Sequence, residues 1–317
     1  MANLHIVPDP TKSQELNAVY LTLTIRRFGT RAKMKTAKGR KESDLADTVE
    51  DLVLDGEVDA FHLSKDLLKS PEYQRISARD TETRVWLRRR TLPSLVRDGV
   101  HLLTFELIDD VDAYLLKYIE ERHVLVDAFL EAYPERVLET KERLGANFNQ
   151  GDYPPADAIR HQFKVEYSYI QVEAPGKIAT FRLDIYRREQ EKAAAQMDEL
   201  VASCKAILRA ELKGMVDHLV HRLTPWPDGK RKLLFSAMIP NFAEGLALIK
   251  ARDIASDADL QKVLVRAEKI LAGVDIDSLR DDEGVRDHVR VGFERVKKLV
   301  DGLVTEAPRL VCMGDEE

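Results

Sequence analysis

Basic side chains crowd the run RRFGTRAKMKTAKGRK, which carries Arg26, Arg27, Arg31, Lys33, Lys35, Lys38, Arg40 and Lys41. Closely spaced cations on a glycine-containing segment can neutralise successive phosphates and release their counterions, so this arm is the candidate nucleic-acid contact. The competing reading is a solubilising loop, or one that pairs with an acidic patch. Apart from Phe28 the arm has no aromatic ring on which a base would stack. Arg88, Arg89 and Arg90 add charge farther on, but successive helical positions point different ways, so a solvated face is the simpler reading.

His218 and His221 stand three apart beside Asp217, a spacing that sets two imidazoles over neighbouring helical turns. No third ligand follows at a fixed offset and HExxH is absent, so they read as surface histidines. Cys204 falls inside an apolar stripe, where a thiol is a small hydrophobe rather than a nucleophile. The chain has neither GxxxxGK[ST] nor GxGxxG, and Gly229-Lys230 after Pro-Asp reads as a turn. No GxSxG frames a serine. The pairs Asp109-Asp110 and Asp281-Asp282 are explained by helix caps and solvated turns. No catalytic residue, metal or cofactor is therefore expected, and the chain does not read as an enzyme.

What must position these side chains is mostly helix. Of 317 residues 44% are apolar and 33% charged, with few Gly and Pro, a balance that favours helices with solvated faces. The net charge of −6 argues against a surface that is nucleic-acid footprint throughout. Cys204 and Cys312 are too far apart in sequence for a disulfide framework or a zinc spacing, which fits a reducing compartment. The opening residues lack a secretory pattern and no long apolar run follows, so the expectation is a cytoplasmic protein with no membrane span.

Residues 1–17 read as a polar lead-in. Val19–Ile25 alternates as a strand that needs a partner. From Ser43 the pattern turns helical, Ser64 offers a cap for a turn at KDLL, and Pro71 breaks the run. Trp86 and Leu87 point inward, and Pro93 ends or bends their segment. Asp109 or Asp110 opens a long helix with an apolar stripe from Val111 to Tyr133. Pro134 starts its continuation, and Gly145 closes it. The sequence FKVEYSYIQVEAPGKIATFRLDI reads as a hairpin around Pro-Gly that could partner the first strand. A second long helix runs from about Arg187 to Leu223 with a near-heptad seam and ends at Thr224-Pro225-Trp226-Pro227. Shorter helices follow at 241–253, 257–272 and 284–304, with Asn241, Asp257 and Asp282 as start signals.

The run RTLPSLVRDGVHLLTFELIDDVDAYLLKYIEERHVLVDAFLEAYPERVLETKERLG, then DYPPADAIRHQFKVEYSYIQVEAPG, the charged long helix and KLLFSAMIPNFAEGLALIKARDIASDADLQKVLVRAEKILAGVDIDSLRDDEGVRDHV resemble the bacterial and phage family catalogued as domain of unknown function 3150. The resemblance covers most of the chain, but through packing motifs that carry no chemistry. Family members occur in phages and mobile elements, beside genes for MoxR-type AAA ATPases and von Willebrand A proteins. This implies an adaptor or scaffold partnering such a machine. The alternative is an accessory nucleic-acid-binding protein in phage replication or recombination that uses the basic arm.

The expected class is mainly α with a small antiparallel β element (α+β). Two long amphipathic helices would form an antiparallel coiled-coil-like arm, followed by a C-terminal helical bundle. Three consecutive regions are expected: 1–42 with the strand and basic arm, 43–235 with the long helices and a β-hairpin near 163–185, and 236–317.

Overall fold

The computed structural model describes residues 17–33, 64–94, 99–170 and 182–305, which hold eight α-helices, three single-turn 3-10 helices and six strands. The class is the expected one, mainly α with a small antiparallel sheet. The chain divides into two units, with boundaries at Thr22/Leu23, Val85/Trp86, Ala113/Tyr114 and Glu166/Tyr167. One unit takes the described residues before Leu23, those from Trp86 to Ala113, and those from Tyr167 onward. These units interleave along the chain, whereas the regions expected from sequence are consecutive.

The strand β1 (Ala18–Ile25) forms as its alternation predicts, in a sheet of order β4 (Leu92–Pro93), β5 (Val100–Thr104), β1, β6 (Val165–Ile170). Its register against β5 runs from Ala18↔Thr104 to Thr22↔Val100. β6 is the partner expected from the aromatic run, and the Thr22 hydroxyl donates to the Ser168 carbonyl at 3.3 Å. Of the return half of the expected hairpin only the end is described, and there the expected strand is a helix. Leu183, Asp184 and Ile185 are helical, and residues 171–181 lie outside the described residues.

In the second unit β2 (Arg31–Lys33) pairs antiparallel with β3 (Ser64–Asp66), so part of the supposed arm is a strand and Ser64 caps nothing. The expected helix from Ser43 lies outside the described residues. Pro71 opens α1 (Pro71–Arg90) instead of breaking a run. The preceding Ser70 hydroxyl accepts from the Tyr73 N–H at 3.1 Å, and a proline at the first helical position forfeits no helical hydrogen bond. α2 (Ile108–Leu144) passes unbroken through Pro134, so no new helix starts there. Gly145 closes it at φ +50°, as expected. With the short α3 (Ala156–Arg160), these helices enclose an aromatic core in which Phe129 meets Tyr73, Tyr133 and Phe163 edge-on at 5.5–5.8 Å.

In the first unit the long helix α4 (Leu183–Leu223) buries Leu200, Cys204, Leu208, Leu212, Val216, Leu219 and Leu223. Four successive steps of four drift about 40° each around a helix of 3.6 residues per turn. The first part of the stripe therefore winds around α4, while its end, Val216, Leu219 and Leu223, keeps the three-and-four spacing of the expected seam. Within this unit α4 packs against α5 (Met238–Ala251) and, more extensively, α8 (Glu283–Thr305). α6 (Ala258–Leu271) and α7 (Ile276–Asp281) complete the expected C-terminal bundle. Asp257 and Asp282 cap α6 and α8 as anticipated, while Asn241 falls inside α5. No helix among the described residues is long and apolar enough to cross a membrane.

Candidate functional site

The described part of the basic arm is largely committed internally. Arg27 hydrogen-bonds Ser77 and lies 3.6 Å from Asp80, while Arg31 pairs with Asp66 at 3.3 Å. The Arg26 side chain is exposed, and its carbonyl accepts from Arg122 at 2.9 Å. Lys33 belongs to β2, and Lys35, Lys38, Arg40 and Lys41 lie outside the described residues. Asp80 is fully buried. It accepts from the Arg122 Nε at 2.9 Å and the Tyr118 hydroxyl at 2.7 Å. Burial and this bond to a carboxylate push the Tyr118 hydroxyl's pKa up. The Asp80 carboxylate is shared among Arg122, Tyr118 and Arg27, so the cluster ties α1 to α2.

The histidine pair is not brought together as a ligand set, and no group of three or more metal-type ligands occurs among the described residues. Asp217 is engaged by Lys213 and Lys297, and the His221 carbonyl accepts from Lys232 at 2.8 Å. Cys204 is buried in the core as read from sequence, and burial pushes its thiol up to about 12.

An open site does lie where α4 ends. Pro225 and Pro227 stop helix propagation, and Gly229 at φ +80° closes the predicted Pro-Asp-Gly-Lys turn, with its N–H donating to the Trp226 carbonyl at 2.9 Å. The segment then runs extended. Lys232 and Leu234 turn inward, while Leu233 and Phe235 face outward at 71% and 57% exposure. Sequence gives these last two no reason to be outside, since a Leu-Leu-Phe run reads as core.

Cations, two of them buried, fix that orientation. Arg280 donates to the Leu234 carbonyl from Nε at 3.1 Å and Nη2 at 2.7 Å. Arg286 reaches the Leu223, Arg222 and Lys232 carbonyls at 3.1–3.3 Å. The Lys232 ammonium, besides binding the His221 carbonyl, lies 4.7 Å from the centre of the Trp226 ring. An irregular segment with buried carbonyls must find donors, and here α7 and α8 supply them. Burial, with Arg231 nearby, lowers the Arg286 pKa.

Behind Phe235 a cavity of about 500 Å³ opens between α4 and α5. Met215, Leu219, Met238 and Phe242 give it apolar walls, with His218, Arg222 and Asn241 among the polar lining residues. Gly245 admits the Met215 thioether, whose sulfur would lie 2.9 Å from a Cβ at that position. No acidic residue among the described residues lines the cavity. The Arg222 guanidinium sits 5.6 Å from the Phe235 ring centre and pairs with no carboxylate among the described residues. Nearby acids are already matched: Glu211 with Arg252 at 2.5 Å, Glu244 with Arg90 at 3.7 Å, and Glu283 with Arg231 at 3.0 Å. The site is thus an apolar slot with positive charge at its lining and an apolar ridge beside it.

Comparison of the chain with family models, with curated proteins and with solved structures finds no match.

Proposed function

We propose that this protein is a non-catalytic helical adaptor that holds a partner protein on Leu233, Phe235 and the slot behind them. The observation that carries this reading is the fixed exposure of two large apolar side chains on a segment whose carbonyls are held by Arg280 and the buried Arg286. A flexible linker of the same composition would turn such side chains inward, because each buried Leu or Phe gains about 1.5–3 kcal/mol. Contiguous exposed apolar groups mark interaction sites, and arginine, here Arg222 beside Phe235, is a residue type that dominates interface energetics.

The resemblance to the domain of unknown function 3150 family supports a narrower version. In it the adaptor belongs to a phage or mobile-element system, acts in the cytoplasm of a bacterial host, and partners a MoxR-type AAA ATPase or a von Willebrand A protein. The test is co-purification of the tagged full chain with co-encoded ATPase and von Willebrand A proteins, compared with a Leu233→Ser, Phe235→Ser double variant. Retention of a partner by the wild type and its loss from the variant is the expected result. Equal retention by both would remove the slot from this role. The nucleic-acid alternative gains nothing from Arg27 and Arg31, whose charges meet Asp80 and Asp66.

A further inference from the structure

Resting on that docking role, we infer that the slot's occupant is an acidic amphipathic helix of the partner, seated with its apolar face down and a carboxylate on Arg222. Three features of the slot select this chemistry. Its walls are two helices, α4 and α5, with Gly214 and Gly245 among the lining residues, and a groove between helices is where an amphipathic helix lays its apolar face. The thioethers of Met215 and Met238 present soft, adaptable surface to branched side chains.

The charge balance is the second selector. His218, Arg222 and Asn241 line the slot with no acidic residue among them, and Glu211, Asp217 and Glu244 on the two wall helices are each paired with an internal cation. A basic helix would meet Arg222 as a like charge in a partly desolvated site. An acidic one supplies the carboxylate that Arg222 lacks.

Extent is the third. A fatty acid would satisfy both walls and charge, but it would leave Leu233 and Trp226 uncovered at 71% and 54% exposure. A helix of about four turns is roughly 20 Å long and can cover the slot and the ridge together.

The test uses the full chain and a fluorescein-labelled peptide of about four helical turns, with leucines on one face and glutamates on the other. A lysine-for-glutamate counterpart and dodecanoate serve as comparisons. Variants Arg222→Gln and Phe235→Ser alter a partly exposed and an exposed side chain, and circular dichroism checks that both fold. Anisotropy is expected to show saturable binding of the acidic peptide, weakened at least about tenfold by either variant, and weaker at higher salt. The lysine peptide is expected not to saturate.

Equal binding of both peptides, still lost in Phe235→Ser, would overturn the acidic assignment and leave the docking surface standing. No binding of either peptide, together with unchanged partner retention by Phe235→Ser, would overturn both. Saturable binding of dodecanoate without the acidic peptide would assign the slot to a lipid instead and overturn the inference.

Discussion

Arg122 in the second unit and Arg286 in the first are both almost fully buried, at 1% and 6% exposure, yet their partners differ in kind. Arg122 meets a carboxylate, Asp80, which also accepts from the Tyr118 hydroxyl, and donates to the Arg26 carbonyl as well. Arg286 meets three carbonyls and no carboxylate among the described residues. The first arrangement joins two helices and closes on itself. The second holds a non-helical segment in place, and its product is the outward-facing pair Leu233 and Phe235. Burying a charge against backbone dipoles is worthwhile when backbone that cannot bond to itself must stay ordered.

Breaking the carboxylate side of this comparison has the largest expected effect. Asp80→Ala leaves Arg122 buried with only a carbonyl, and Arg27 loses its ion pair as well, so a loss of about 3–5 kcal/mol is expected in urea unfolding. The double variant Asp80→Leu, Arg122→Met should recover most of that loss, because an apolar pair of similar volume leaves no buried charge. A double variant as unstable as the single one would mean that the network is needed for more than charge balance.

Arg286→Met is expected to cost about 2–3 kcal/mol, as three carbonyls lose a charged donor. Its distinguishing mark is local. Limited proteolysis should cut between Thr224 and Ala237 faster than in the wild type, whereas Asp80→Ala should leave that segment's cleavage unchanged. Cleavage confined elsewhere would contradict the holding role given to Arg286.

How much of this was legible in the sequence follows from how far apart the deciding groups lie. Asp257, Asp282 and Gly145 announce helix ends because caps act on the adjacent turn, and the bundle from 238 to 305 follows the expected helices to within a few residues. Pro71 was ambiguous, since proline both stops and starts helices, and Ser70 immediately before it was the deciding neighbour. The short run Val100–Thr104 gave too little alternation to register as the central strand β5. The slot was beyond sequence reasoning for a different reason. Leu233 and Phe235 look like core, and what turns them outward is Arg280 and Arg286, about fifty residues downstream. Cationic residues at those positions were indistinguishable from the other solvated charges of a helical protein.

A smaller effect sharpens the second unit's side of the comparison. The Ser70 hydroxyl, the helix backbone and Arg136 together hold the Glu72 carboxyl near a pKa of about 2, below its usual 4.5. A depressed folded pKa contributes stability fully present above the unfolded value and lost as pH falls toward the folded one. The stability difference between wild type and Glu72→Gln should therefore be constant above about pH 5 and close between 4.5 and 2. Urea titrations at a series of pH values check this, and a gap that persists at pH 2 would assign the effect to packing.

The smallest expected change in stability falls at the slot itself. Gly245 lies in α5, where alanine gains up to about 1 kcal/mol in helix propensity. Its new Cβ, however, would overlap the Met215 methyl and displace the thioether. A methionine end is flexible enough to move, so Gly245→Ala should unfold within about 1 kcal/mol of the wild type. The displaced thioether would also reshape the slot. Binding of the acidic peptide should fall several-fold while stability holds, a separation that Arg286→Met cannot produce because it loosens the segment as well. A Gly245→Ala protein that binds as the wild type does would show that Met215 is not a contact surface.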